Sequence, residues 1–410
     1  MKNIWDYDTK PLTDLLEAIV DNRGKTVPTT ETGRILIATN CVTNNTLFPV
    51  YEKVRFISDE TYETWFRAHP IPGDIIFVNK GTPGKVCMVP DPIEFCIAQD
   101  MIALRANDKK IYNKYLFAVL RSERIQKQIY NTNVGDVIPH FKKQFLDQLL
   151  IPIPPREIQE FIGNLYYQLS YKIELNKQIN DNLEQQLQAL YNEWFVENPK
   201  SDWHSVNLSE IATFVSGYSY KGNELVENSD TAMATIKNFE RNGGFKIDGY
   251  KPIIPSPKLK VDQRAQLFDI LVAHTDLTQN AEVIGNAEIL LSKDIYKDLI
   301  FSMDLVKVNA KESFPFQFLL ALLLKNPRFK SHCIGYVNGT TVLHMNKRAL
   351  PDYETIIPNL EDAQNLNATA KAIFCQMSEN LTEISNLTEM RDTLLPRLMS
   401  GELKINDLDS

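Results

Sequence analysis

The side chains best suited to chemistry in this sequence are hydrogen-bonding and cationic groups clustered on loops. Asn79-Lys80-Gly81-Thr82-Pro83-Gly84-Lys85 follows a short apolar run, and His274-Thr275-Asp276-Leu277-Thr278-Gln279-Asn280 follows a comparable one. From these, Asn79, Lys80, Thr82 and Lys85, and His274, Thr275, Thr278, Gln279 and Asn280, are candidate DNA contacts. Compact turns can aim amides, hydroxyls and ammonium groups at base edges and phosphates. Two further clusters are Asn133, His140, Lys142 and Lys143, and Asn338, Thr340, Thr341 and His344. Lys237, Asn238 and Arg241 form another group, as do Thr39-Asn40 and Asn44-Asn45. The competing reading is ordinary: solvated hairpins and, for His140 and His344, a buried structural imidazole.

Catalytic patterns are not legible. There is no Asn/Asp-Pro-Pro-Tyr, no Gly-x-Gly-x-x-Gly after a strand and no Gly-x-x-x-x-Gly-Lys-Ser/Thr, so a flipped-base pocket, a dinucleotide cradle and a phosphate loop are not expected. Pro351-Asp352-Tyr353-Glu354-Thr355 hints at a nuclease carboxylate pair, but no lysine follows at the needed spacing. The six histidines lack ligand spacing. The five cysteines form no Cys-x-x-Cys pair and are expected to be reduced, buried thiols. We therefore expect no catalytic, cofactor-binding or metal-binding residues in this chain.

Charge and hydropathy bound the partners. The net charge of −8 argues against a polyanionic ligand if taken whole. The excess of acid sits on residues 156–200 and 360–410, however, and the two larger segments are near neutral. Each could carry one basic face, and nucleic-acid contact follows the local field. The longest apolar run, Phe318 to Leu324, is far shorter than the ~18 residues of a membrane span. The N-terminal residues are polar and lack the apolar core of an export signal. A cytoplasmic protein without membrane contact is expected.

These loops sit in a repeat. At a shift of 204, His140 falls on His344, Pro154 on Pro358 and Asp100-Met101-Ile102 on Asp304-Leu305-Val306. Tyr115–Leu120 falls on Phe318–Leu323 at 203, Asp74–Val78 on Asp269–Ala273 at 195, and Leu12–Leu15 on Leu208–Ile211 at 196. The blocks keep their order while the shift changes, as two related domains with divergent loops require. Each copy mixes short apolar runs bounded by turn residues with a helical block at Tyr115–Leu120 or its equivalent.

Each copy ends in a long helical stretch. Ile158, Ile162, Leu165, Leu169 and Ile173 continue into Ile179, Leu183, Leu187, Leu190 and Trp194 in steps dominated by three and four. The second stripe runs from Leu366 through Ala370, Ile373, Met377, Leu381, Ile384 and Leu387 to Leu394 and Leu398. Such stripes form a coiled-coil seam. A helix of ~40 residues is ~60 Å long at 1.5 Å per residue, so pairing of the two helices, antiparallel, is the economical way to bury both. Asn359 is the expected cap of the second helix, Pro396 is expected to bend or end it, and Gly401 to terminate it. Asn176 and Asn380 are equivalent and fall in or beside the seam. The expected plan is α/β (α+β): a domain over 1–154, a helix over 155–198, a domain over 199–358, and a helix with a tail over 359–410.

Leu394-Leu395-Pro396-Arg397-Leu398-Met399-Ser400-Gly401-Glu402-Leu403 resembles the C-terminal signature of the specificity subunits of type I restriction–modification systems. Ser216-Gly217-Tyr218-Ser219-Tyr220-Lys221 resembles the opening of a target recognition domain of that family. Gly73-Asp74-Ile75-Ile76, Gly339-Thr340-Thr341 and Ile153-Pro154-Pro155 with Gln159 and Ile162 are similar to its other motifs. The resemblance spans the chain in the order domain, helix, domain, helix. It implies two target recognition domains that read a bipartite, asymmetric double-stranded DNA site. It also implies two methyltransferase (modification) subunits and restriction/translocase subunits as partners, with S-adenosylmethionine, ATP and Mg²⁺ belonging to those partners. The competing expectation is a divergent nuclease or DNA methyltransferase, and a third is a coiled-coil adaptor.

Overall fold

A computed structural model describes residues 2–22, 25–132, 139–241, 243–278, 280–339 and 342–403. The chain divides into two compact units, residues 1–175 with 386–410, and residues 176–385.

In the first unit, β1 (Leu16–Val20), β2 (Arg34–Ile37), β3 (Arg55–Ile57), β4 (Ile75–Val78), β5 (Val86–Met88), β6 (Phe95–Ile97) and β7 (Met101–Ala106) build two sheets. One has the order β1-β7-β4-β5 and the other β3-β2-β6, with β2 and β6 parallel. β4 is buried along its whole length. Ile75 and Phe77 face a core shared with helix α1 (Asn113–Arg121), whereas Ile76 and Val78 face the second sheet. A strand covered on both faces reads as a continuous apolar run, which is why Ile75–Val78 shows no alternation. Helix α2 (Glu123–Thr132) follows after a break at Ser122. Asp74 anchors the start of β4: its buried carboxylate accepts from the Arg105 guanidinium at 2.9–3.0 Å and from the Ile71 amide at 2.9 Å.

Helix α3 (Arg156–Tyr191) begins in the first unit and ends, through a π-helical turn at Asn192–Glu197, in the second. Its start is pinned by Gln159, which accepts from the Tyr112 amide at 2.9 Å and donates to the Pro154 carbonyl at 2.8 Å.

The second unit repeats the plan. β8 (Ala212–Ser216), β9 (Thr231–Ala234), β10 (Lys251–Pro252), β11 (Ile270–Ala273), β12 (Thr275–Asp276), β13 (Ala287–Ile289), β14 (Asp298–Phe301) and β15 (Leu305–Ala310) lead to helices α4 (Gln317–Leu324) and α5 (Pro327–Ile334). The main sheet has the order β8-β15-β11-β13, and β9 and β14 are parallel as β2 and β6 are. Asp269 repeats Asp74: it accepts from the Gln266 amide at 2.9 Å, with Asn309 at 3.0 Å and Lys307 at 3.3 Å in place of the arginine. β16 (Val337–Asn338) and β17 (Leu343–Met345) join β12 in a small sheet of order β12-β17-β16. Helix α6 (Leu360–Ser400) returns from this unit to the first. Asn359 caps it by accepting from the Asp362 amide at 2.9 Å. Pro396 lies inside α6, which neither ends nor breaks there and stops at Ser400, with Gly401 in the left-handed region at φ +74°.

The long helices are integral to both cores. Ile162 and Tyr166 of α3 with Leu398 and Met399 of α6 belong to the core of the first unit. Leu187 and Tyr191 with Leu366, Phe374 and Met377 belong to that of the second. In the second unit Asn176 Nδ2 donates to Glu383 at 2.8 Å, and Asn380 Nδ2 donates to Asn180 Oδ1 at 2.7 Å. In the first, Tyr166 and Arg391 lie face to face and Ile162 shares its core with Leu398. In both units, ascending numbers on α3 meet descending numbers on α6, so the helices pair antiparallel.

Candidate nucleic-acid interface

Each unit builds the same frame where its main sheet ends. In the first, the chain leaves β4 at Asn79, whose amide donates to the Asp100 carbonyl at 3.1 Å and whose carbonyl accepts from the Phe141 amide at 2.8 Å. Lys80 then bridges antiparallel to His140, and the Gly81 amide reaches the Pro139 carbonyl at 2.9 Å. The hairpin closes through Gly84, whose amide returns to the Val78 carbonyl at 2.9 Å. Gly84 has φ +90°, and a Cβ there would sit 3.0 Å from Ile129, so glycine is required by both backbone and space.

In the second unit the chain leaves β11 at His274. Its amide donates to the Asp304 carbonyl at 2.8 Å, and its carbonyl accepts from the Met345 amide at 2.9 Å. Thr275 pairs with His344, and His344 pairs on its other side with Asn338. Thus Asn79, Lys80, Asp100, His140 and Phe141 correspond to His274, Thr275, Asp304, His344 and Met345. The backbone is shared and the side chains differ. Lys80 is exposed and lies 3.9 Å from the Asp100 carboxylate. Thr275 is buried and donates its hydroxyl to Asp304 at 3.1 Å.

The structure brings Lys80, Thr82 and Lys85 onto one hairpin beside His140, Lys142 and Lys143. Lys80, Thr82, Lys142 and Lys143 are exposed, His140 and Lys85 half-buried. Lys143 is held by Asp21 at 2.9 Å. Thr39 stands beside the hairpin: a Cβ on Gly81 would lie 3.9 Å from its hydroxyl. In the second unit His344, Asn338 and Asn280 are exposed and His274 is half-buried. Burial pulls the His274 pKa below the usual imidazole value, assisted by the charges of His344 and Lys347 and opposed by Asp304. Asn133, Gln279, Thr340 and Thr341 lie outside the described residues.

Several candidates serve the fold instead. Asn238 is fully buried; its Oδ1 accepts from the Thr235 amide at 2.8 Å and its Nδ2 donates to the Lys246 carbonyl at 2.6 Å. It cannot reach a ligand. Thr275 is likewise turned inward. The Thr278 amide and hydroxyl both donate to the buried Asp276 carboxylate, at 2.7 and 2.9 Å, which shapes the loop after β12. Asn44 accepts from the Val86 amide at 2.9 Å, and Asn40 donates to the Glu52 carbonyl. Lys237 is exposed, whereas Arg241 is paired with Glu282 at 3.1 Å. The residues overlooked in the sequence are Asp100 and Asp304. Their equivalence was visible in the repeat, but nothing nearby marked them as the posts that hold the frame.

Cys41, Cys87, Cys96 and Cys333 are buried and Cys375 is half-buried. Burial pushes the thiols of Cys96 and Cys333 up to about 12, which leaves them protonated and poor ligands. Among the described residues no group of three or more His, Cys, Asp or Glu could hold a metal ion, and no helix is long and apolar enough to cross a membrane.

The family model of the type I restriction modification DNA specificity domain matches residues 5–185. The type I restriction enzyme HindI specificity subunit of Haemophilus influenzae is 26% identical over 404 residues, covering 81% of this chain and 86% of that one. The chain is similar to type I specificity subunits over about four-fifths of its length. A second such subunit, MjaIX of Methanocaldococcus jannaschii, is 23% identical over 355 residues, covering 82% and 79%. The crystal structure of the type I restriction–modification S subunit from M. genitalium shares the fold, with a TM-score of 0.56 at 15% identity over 97% of this chain and 99% of that one. Type I specificity subunits recognise DNA and do not themselves catalyse, and this chain is such a recognition subunit.

Proposed function

We propose that each unit reads one half of a bipartite double-stranded DNA target through its copy of the frame. In the first, the surface is Lys80, Thr82 and Lys85 with His140, Lys142 and Lys143, flanked by Asn79. In the second, it is Asn338, His344 and His274 with Asn280. The carrying observation is the equivalence of Lys80–Asp100–His140 with Thr275–Asp304–His344 on the same backbone bonds. One scaffold presenting a cation in one copy and a tied hydroxyl in the other suits two unlike half-sites.

In this reading two methyltransferase subunits and restriction/translocase subunits assemble on the chain in the cytoplasm. S-adenosylmethionine, ATP and Mg²⁺ belong to them. The test is incubation of the purified chain with labelled S-adenosylmethionine and target DNA, with and without the methyltransferase subunit. Label should enter DNA only when both are present. Incorporation by the chain alone would contradict the assignment.

A further inference from the structure

We propose that Gln99 and Met303 are base-reading positions of the two units, Gln99 for an adenine and Met303 for a thymine methyl group. The inference rests on the reading of each unit as the reader of one half-site, and it assigns bases within that reading.

The two residues occupy one place in the repeated frame. Val78 pairs with Met101 as Ala273 pairs with Leu305. The next residues, Asn79 with Asp100 and His274 with Asp304, are joined amide to carbonyl. One step further, the antiparallel register sets Lys80 opposite Gln99 and Thr275 opposite Met303. On their other side Lys80 bridges to His140, and Thr275 pairs with His344. Gln99 and Met303 therefore begin the rows Gln99–Lys80–His140 and Met303–Thr275–His344, and both rows contain candidate DNA contacts.

In the second unit the backbone of this corner is fixed and the side chain is left outside. Gly217 lets two segments touch, since a Cβ there would collide with the Ser302 carbonyl. The Tyr218 amide then donates to the Phe301 carbonyl at 2.7 Å, and the Met303 amide to the Tyr218 carbonyl at 2.9 Å. Ser302 is fully buried, and its hydroxyl donates to Asp304 at 3.3 Å. The same carboxylate holds Thr275. The polar groups of the corner are thus turned inward, and Met303, 55% exposed, is the side chain it presents. The apolar feature of a major-groove edge is the thymine methyl, and an unbranched thioether adapts its shape to such a group.

In the first unit Ala98 takes the place of Ser302, and Gln99 that of Met303. Gln99 Oε1 and Asn79 Oδ1 flank Asp100, are buried and meet no donor among the described residues. Amides that serve the fold are bonded, as those of Asn44 and Asn238 are. A buried acceptor without a donor is unfavourable. Gln99 is half-buried, so part of the side chain already reaches the surface. Turning its amide outward breaks no hydrogen bond to that oxygen. Adenine supplies what is missing: its amino group donates to the oxygen while N7 accepts from the amide nitrogen. Methionine cannot form that pair, so one position of the frame reads differently in the two copies.

The test uses the complete complex with the methyltransferase subunit, on duplexes carrying its methylated motif. Exchange of residues 1–154 for those of a relative identifies the half-site of each unit. In the first half-site 7-deazaadenine, which lacks N7, should weaken binding about tenfold at one position. In the second, uracil in place of one thymine should weaken it about fourfold, the worth of one buried methyl. Gln99→Met should abolish the first loss and leave the second, and Met303→Ala should do the reverse. Gln99→Glu, which keeps the shape, replaces Gln99→Met if that variant does not fold. A half-site without an A·T pair, wild-type binding indifferent to the analogues, or equal losses in wild type and variants overturns the assignment and leaves the half-site reading standing. An exchange that alters both half-sites or neither overturns the half-site reading, and the assignment with it.

Discussion

At the scale of residues, Asp100 and Asp304 each receive the amide of the residue that leaves the central strand, and each holds the next side chain in line. The exposed Lys80 is a point charge suited to a phosphate or an acceptor-rich base edge. Lys80→Ala should weaken DNA binding by the complex about tenfold and lower the slope of log affinity against log salt by about 1; an unchanged slope in a titration from low to moderate salt would remove Lys80 from the interface. His274 makes a separate prediction about pH. Burial holds it, and His69 in the first unit, below the usual imidazole pKa. Between the folded and unfolded values the unfolded chain binds more protons, so stability rises with pH there. This contribution is full above about 6.5 and is lost as pH falls from there toward the folded values. The melting temperature should drop between pH 7.5 and 5.5, and His274→Gln should remove part of the drop; the same drop in wild type and variant would contradict the assignment. Single residues were only partly legible in the sequence. Asn238 looked like a loop amide, but Asx-type turns consume the side chains that composition offers as donors. Lys80 and His344 were identified as candidates from their place after a strand and within a repeat.

At the scale of elements, the long helices were legible because a stripe at steps of three and four persists over many turns in each. The short strands were less so. Ile75–Val78 and Ile270–Ala273 are buried on both faces, so periodicity could not separate strand from helix there, and only length and flanking turns did. Pro396 was expected to bend or end its helix; α6 does not end there but continues to Ser400, and Leu398 and Met399 are anchored in the first unit's core. Tertiary packing offsets the lost backbone bond. Asn176 and Asn380 sit buried and bonded to the facing helix, a means of setting register. Both helices pass from one unit into the other. A heptad inserted in each keeps the seam in phase and adds ~10 Å at 1.5 Å per residue. At ~3.4 Å per base pair the unread gap should grow by up to ~3 base pairs, subject to groove phase. An active variant that keeps the original gap would show that the helices do not set it.

At the scale of the whole molecule, the repeat was the most informative feature of the sequence, since it ties two loops of unlike composition to one scaffold. The structure repeats the frame's backbone bonds in the two units, Asn79 with Asp100 and Phe141 as His274 with Asp304 and Met345, and leaves the divergence in the side chains. Modular reading follows directly. The decisive measurement is mapping of methylated motifs in a host genome carrying either this chain or a chimera in which residues 1–154 are replaced by the equivalent stretch of a related specificity subunit. The motif should keep one half-site and the unread gap and change only the other half. Simultaneous change of both half-sites, or of neither, would contradict the assignment of one half-site to each unit.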